Sequence, residues 1–154
     1  MAIRNDCKAI LYRNGEVLLN AVALPDGSVC YDLPGGGQQP YESLEEGVLR
    51  EVREETGYEA RILRFCGLAE DICLNPVQRA AAPNYTHRVL HIFLVEPLTD
   101  VPGVAAELDL NQLRSEWVSL DRVASLPLRP IGIAPYIAQM IRSNTPIYIP
   151  TFYS

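Results

Sequence analysis

The sequence predicts an α/β protein in which a mixed β-sheet is covered by helices. Three observations predict it. Two apolar, β-prone runs flank Asn14-Gly15 near the start. A segment beginning at Ser43 repeats its apolar residues at helical spacing. Further strand-like runs then lead to a second helical segment near residues 130–143. Strands, helix, strands and helix in that order argue for a sheet with helices laid over it.

The first strands are expected at Asn5–Arg13 and Glu16–Leu24. Asn-Gly between them suits a type I′ turn, which needs positive φ at both central residues. Pro25–Ser28 reads as a turn, and "VCYDLP" as a short strand running into Gly35, Gly36 and Gly37. Ser43-x-x-Glu46 is a capping box that opens a helix. Leu44, Val48, Leu49 and Val52 share its apolar face, and Gly57 stops it. "EARILRFCGLAEDICL" reads as a strand bent or broken near Gly67, and Asn75–Thr86 as a loop by its prolines and asparagines. "HRVLHIFLVEP" is apolar on both faces, which predicts a central strand. A second long loop, a short strand at "EWVSL" and a helical turn at "DRVASLPL" follow. "PIGIAPYIAQMIRS" predicts a C-terminal helix, with Pro130 near its start and Pro135 as a kink. The tail "NTPIYIPTFYS" has no assigned packing.

Composition narrows the function classes. At 154 residues, with 48% apolar and 21% charged residues, the chain can bury a core. Without an internal repeat or low-complexity linker, residues 1–154 read as one domain. A net charge of −6 argues against binding a nucleic-acid polymer. It leaves room for a nucleotide substrate, because a divalent metal can invert the local field. No apolar run reaches membrane-spanning length and no secretory h-region opens the chain. Cys7, Cys30, Cys66 and Cys73 lack zinc-like spacing and read as reduced, mostly buried thiols of a cytoplasmic protein.

The helical segment holds the chemistry. At about 100° per residue, Glu51, Glu54 and Glu55 lie side by side on an arc next to the apolar face. Like charges at that spacing destabilise an isolated helix by a few tenths of a kcal/mol per pair, so a cation should offset them. Mg²⁺ takes carboxylate, water and phosphate oxygens. Gly47 falls on the same arc and either leaves room for a metal or phosphate, or packs against a strand. Arg50 reaches Glu54 one turn on or supports Glu51, while Arg53 and Glu59 read as solvated residues.

Gly36, Glu42, Arg50, Glu51, Val52, Glu54, Glu55 and Gly57 stand at the spacing of the Nudix box, G-x5-E-x7-R-E-U-x-E-E-x-G-U, and the stretch Gly36 to Tyr58 resembles it. Tyr58 departs from the pattern, being aromatic where an aliphatic residue is usual. At roughly 5–7% usage per residue type, such a match arises by chance on the order of once in 10⁹ sites, which sets it apart from a bare charge run.

The resemblance implies the Nudix fold, a mixed sheet sandwiched between helices. It implies a pyrophosphohydrolase that cleaves a nucleoside diphosphate linked to another moiety, using Mg²⁺ or Mn²⁺. Glu51, Glu54, Glu55 and the Gly35 carbonyl would hold the metal, with Arg50 orienting the acids and Glu42 bracing the loop–helix junction. The base differs among members, either a box glutamate or an acid on a later loop; Glu107 is the first candidate outside the box and Glu116 the second. The implied partner is a small nucleotide-like diphosphate, and a homodimer is left open.

Several residues support two readings. His91 either reaches the cleft or is structural, like His87 on the same strand face. Tyr85 and Phe93 either stack on a base or pack, and Arg129 either binds phosphate or sits on the surface. No substrate signature outside the box is decisive. A non-catalytic nucleotide or sugar sensor on the same fold would suit an eroded box, but the acids here are intact. An isoprenoid diphosphate isomerase would need a catalytic cysteine and glutamate that the sequence does not place.

Overall fold

The computed structural model describes residues 3–106, 108 and 111–154. Strand β1 (Arg4–Arg13) turns through Asn14-Gly15 into β2 (Glu16–Ala23). Both turn residues have positive φ, 51° and 82°, as the Asn-Gly pair predicts. β3 (Val29–Asp32) follows, and then the glycines form a strand of their own, β4 (Gly35–Gly37). After α1 (Leu44–Thr56) come β5 (Ala60–Ile72), the short helix α2 (Pro76–Ala81) and a 3₁₀ turn at Pro83–Tyr85. β6 (His87–Pro97), β7 (Gln112–Ser119), α3 (Leu120–Val123) and β8 (Leu128–Arg129) precede α4 (Ala134–Arg142). The tail adds β9 (Ile147–Tyr148) and β10 (Phe152–Tyr153).

The main path of the mixed sheet runs β10-β5-β6-β1-β2-β3-β8, with β4 on β1, β7 on β2 and β9 on β5. β6 lies between β5 and β1, parallel to β1 and antiparallel to β5, which explains its apolar character on both faces. Helix α1 covers one face through Val48 and Val52, packed on Cys7, Ala9, Leu11 and Leu18. Helix α4 covers the other through Ile137 and Met140, on Ile10, Leu19, Leu90 and Ile92. Burying each such side chain contributes about 1.5–3 kcal/mol, so the two seams hold the layers together.

Three expectations need correction. The segment Asn75–Thr86 is not plain loop: Asn75 caps α2 by accepting from Val77 and Gln78 N–H, and Pro76 suits the first turn, where no N–H partner is needed. The C-terminal helix starts at Ala134, with Pro135 in its first turn rather than at a kink, and Pro130 lies outside it after a cis peptide bond. β7 begins at Gln112, earlier than "EWVSL", because β2 offers partners as far as Val22. The tail pairs with β5 by main-chain hydrogen bonds, which its prolines hide in the sequence. β5 is one continuous strand, and its register shifts at Ile62/Arg64 and at Phe65/Gly67, the second where the sequence points to a bend or break.

Gly57 ends α1 with φ 74° and donates to the Arg53 carbonyl. A Cβ there would lie 2.2 Å from the Gly103 carbonyl oxygen. Gly57→Ala should therefore lower the unfolding free energy by roughly 1–3 kcal/mol, read by urea titration, because strain and clash act together. No helix among the described residues is long and apolar enough to cross a membrane.

Candidate active site

The site grows from the junction of β4 and α1. The capping box forms as predicted: Glu46 N–H donates to Ser43 Oγ at 3.1 Å and Ser43 N–H to Glu46 Oε2 at 2.7 Å. It sets the direction in which α1 leaves the glycine strand. One turn on, Arg50 gathers three acids. Its Nη2 donates to Glu42 Oε1 at 2.8 Å, and its Nη1 to Glu51 Oε1 at 2.7 Å and Glu54 Oε2 at 3.0 Å. Nη2 also donates to the Gly37 carbonyl at 3.2 Å, tying the helix to β4. The hydrogen bonds from Arg50 hold the Glu42 carboxyl below its usual pKa range. Glu42 also accepts from Gln39 N–H, so it braces the loop as expected.

Gly36 and Glu51 approach so closely that a Cβ on Gly36 would lie 2.8 Å from the Glu51 carboxylate carbon. Glu55 points inward and is buried, 3% exposed. Its Oε2 accepts from Asn20 Nδ2 at 2.8 Å and from Gly35 N–H at 2.9 Å. Asn20 in turn accepts from Ser115 Oγ at 2.7 Å, and Gln112 Nε2 donates to the Glu55 carbonyl at 3.2 Å. Lys8 Nζ donates to the Gly35 carbonyl and, at 3.3 Å, to that of Leu33.

Among the described residues no three His, Cys, Asp or Glu side chains already converge as a metal cage; Arg50 Nη1 bridges Glu51 and Glu54, and Glu55 turns to Asn20. The donor chemistry nonetheless fits a hard divalent cation: all the donors are oxygens, and Glu42, Glu51, Glu54 and Glu55 outnumber the cations Arg50 and Lys8 that touch them or Gly35. The side-chain-free edge at Gly36 keeps one flank of Glu51 clear of bulk.

A family model described as NUDIX domain matches residues 6–140. The chain belongs to the Nudix hydrolase family. Solved Nudix proteins show the same fold. A MutT protein from Bacillus halodurans superposes with a TM-score of 0.71 at 21% identity, over 98% of this chain and 90% of that one. A NUDIX hydrolase from Nitrosomonas europaea gives 0.69 at 21%, over 91% and 86%. An ADP-ribose pyrophosphatase from Streptococcus suis gives 0.64 at 21%, over 99% and 100%. A putative 8-oxo-dGTP diphosphatase, YtkD of Bacillus subtilis (strain 168), is 49% identical over 37 residues, which is 24% of this chain and 23% of that protein.

The other candidates of this Nudix chain divide. Glu107 lies outside the described residues. Glu116 pairs with Leu19, one position from the Asn20–Ser115 pair, so it faces the α4 side, away from the carboxylates of α1. There a hydrogen bond from Tyr31, then Arg114, holds its pKa low. Gly47 packs against strand and brace: a Cβ would meet Glu42 Oε1 at 3.0 Å and Cys7 Sγ at 3.1 Å. His87 bonds Glu70 at 2.7 Å, and His91 lies 3.4 Å from Asn5 Oδ1, its pKa lowered by burial. Phe93 packs edge-to-face on Phe65, and Arg129 pairs with Asp32. Tyr58, the departure from the box, is buried beneath α1 and accepts from Trp117 Nε1 at 3.1 Å. Lys8, Asn20 and Gln112 are the supports that the sequence reading missed. Asn20 had a signal, a lone amide in the apolar run "VLLNAVA".

Proposed function

We propose that the protein is a metal-dependent pyrophosphohydrolase that cleaves a phosphoanhydride bond in a nucleoside diphosphate linked to another moiety. The observation that carries this reading is Arg50 drawing Glu42, Glu51 and Glu54 together beside the glycine strand. Glu51, Glu54, Glu55 and the Gly35 carbonyl would hold Mg²⁺ or Mn²⁺. Such an ion neutralises phosphate charge, lowers the pKa of an attacking water and steadies the leaving oxygen.

The chain's own residues do the positioning. Arg50 fixes Glu51 and Glu54 at set rotamers, so little reorganisation is needed when substrate arrives. Asn20 and the Gly35 N–H hold one Glu55 oxygen. A carboxylate takes the proton of the water; Glu54 within the box and Glu107 outside it are the proposed bases. The residues Met1–Ser154 are proposed to act as one domain. All four cysteines are free thiols, which supports a reducing, cytoplasmic setting.

The test is a screen of ADP-ribose, nucleoside diphosphate sugars, dinucleoside polyphosphates and damaged nucleoside triphosphates with Mg²⁺ or Mn²⁺. Turnover should appear with at least one class and should vanish on chelation and in Glu54→Gln. Tight binding without turnover by the wild type would overturn the enzyme reading in favour of a sensor.

A further inference from the structure

Arg4 opens β1 and lies at the edge of the site. Its Nε donates to Asp6 Oδ1 at 2.6 Å. Asp6 is buried, 2% exposed, and also faces Arg88 Nη1 at 3.6 Å; Arg88 Nη2 is held by Asp71 at 2.6 Å. Two acids and two arginines thus alternate across β1, β6 and β5. Asp6 keeps a cationic neighbour in Arg88 without help from Arg4. Nη1 and Nη2 of Arg4 donate no hydrogen bond among the described residues, while the side chain stays 30% exposed.

The guanidinium lies in the space that a side chain at position 37 would need. A Cβ on Gly37 would sit 2.7 Å from Arg4 Nη2 and 2.8 Å from Cζ. Gly37 is also the residue whose carbonyl accepts from Arg50. Arg4 therefore stands against the backbone of the same glycine that anchors the carboxylate knot. On another side, its Cζ lies 4.6 Å from the centre of the Tyr85 ring. Tyr85 is 53% exposed, set there by the 3₁₀ turn. An arginine steadied by a buried acid, with its fork of donors unspent, suits a phosphate better than a structural brace would require.

We infer that Arg4 binds a phosphate group of the nucleotide-like substrate beside Gly37, with Asp6 orienting its guanidinium and Tyr85 supporting it. This rests on the pyrophosphohydrolase reading. Arg4 takes no part in water activation; it holds the phosphate chain against the box and so acts on binding.

The test uses the full chain, with the best substrate from the screen for kinetics and inorganic pyrophosphate for calorimetry. Arg4→Ala should raise KM and the pyrophosphate Kd at least tenfold while kcat stays within about threefold, and Arg4→Lys should fall between. Loss of a phosphate contact on this scale matches a charge-assisted hydrogen bond. A KM and Kd within twofold of wild type, in a variant with unchanged melting temperature, would overturn it. Should Arg4→Ala fail to fold, Arg4→Gln, able to keep a bond to Asp6, decides on the same numbers. If the wild type turns over no substrate, the enzyme reading falls, and pyrophosphate binding with and without Arg4 still decides the site.

Discussion

Arg50→Lys is expected to lower kcat/KM by a factor of 10² to 10³, as much as the loss of a metal-binding carboxylate. Lysine keeps the charge but presents one ammonium, whereas Arg50 serves Glu42 through Nε and Nη2, Glu51 and Glu54 through Nη1, and the Gly37 carbonyl through Nη2. No rotamer of lysine spans that set. Three carboxylates would then separate under mutual repulsion, and displacements of about 1 Å at a reacting centre cost about 10²-fold. The effect should fall mainly on kcat, because ordering of the acids is what is lost. Steady-state kinetics over a Mg²⁺ series checks it. An unchanged kcat at saturating Mg²⁺ would show that the acids are arranged without Arg50.

Asn20→Leu is the largest expected stability effect. Asn20 is 3% exposed and lies under α1, with its amide donating to Glu55 and its carbonyl accepting from Ser115. Leucine fits the apolar strand by size and hydrophobicity, yet it would strip one donor from a buried carboxylate. Hydrogen bonds to charged groups are worth about 1.5–3 kcal/mol, and a stranded partner adds to that, so a loss of about 2–4 kcal/mol is expected. Chemical denaturation measures it. Glu55→Gln in the Asn20→Leu background should recover part of the loss, since the amide carries no charge to leave stranded. Equal stability of the single and double variants would refute the assignment.

The sheet and its two main helices were legible because their signals are local. Asn14-Gly15, the capping box at Ser43 and Glu46, and Gly57 each specify backbone geometry within a few residues. The elements that escaped depend on distant partners. β9 and β10 are two-residue strands that exist only because β5 offers an edge. Helix α2 is short and wholly exposed, so no apolar periodicity announces it. The site divides in the same way. Helical spacing placed Arg50 beside Glu51 and Glu54, but the inward turn of Glu55 depends on Asn20, 35 residues away. Lys8, Gln112 and Arg4 also reach the site across strands, and no one-dimensional pattern marks them.

Tyr58 stands where the family pattern has an aliphatic residue, and its hydroxyl accepts from the only tryptophan of the chain. Their rings meet edge-to-face at 5.8 Å, and the Arg13 guanidinium lies 4.3 Å from the indole. The pair joins the residue just after α1 to strand β7. Indole emission responds to a hydrogen bond at Nε1 and to a nearby cation, so the protein carries its own optical gauge at the far end of the carboxylate helix. Movement of that end during a catalytic cycle would be visible in the native chain, with no label attached.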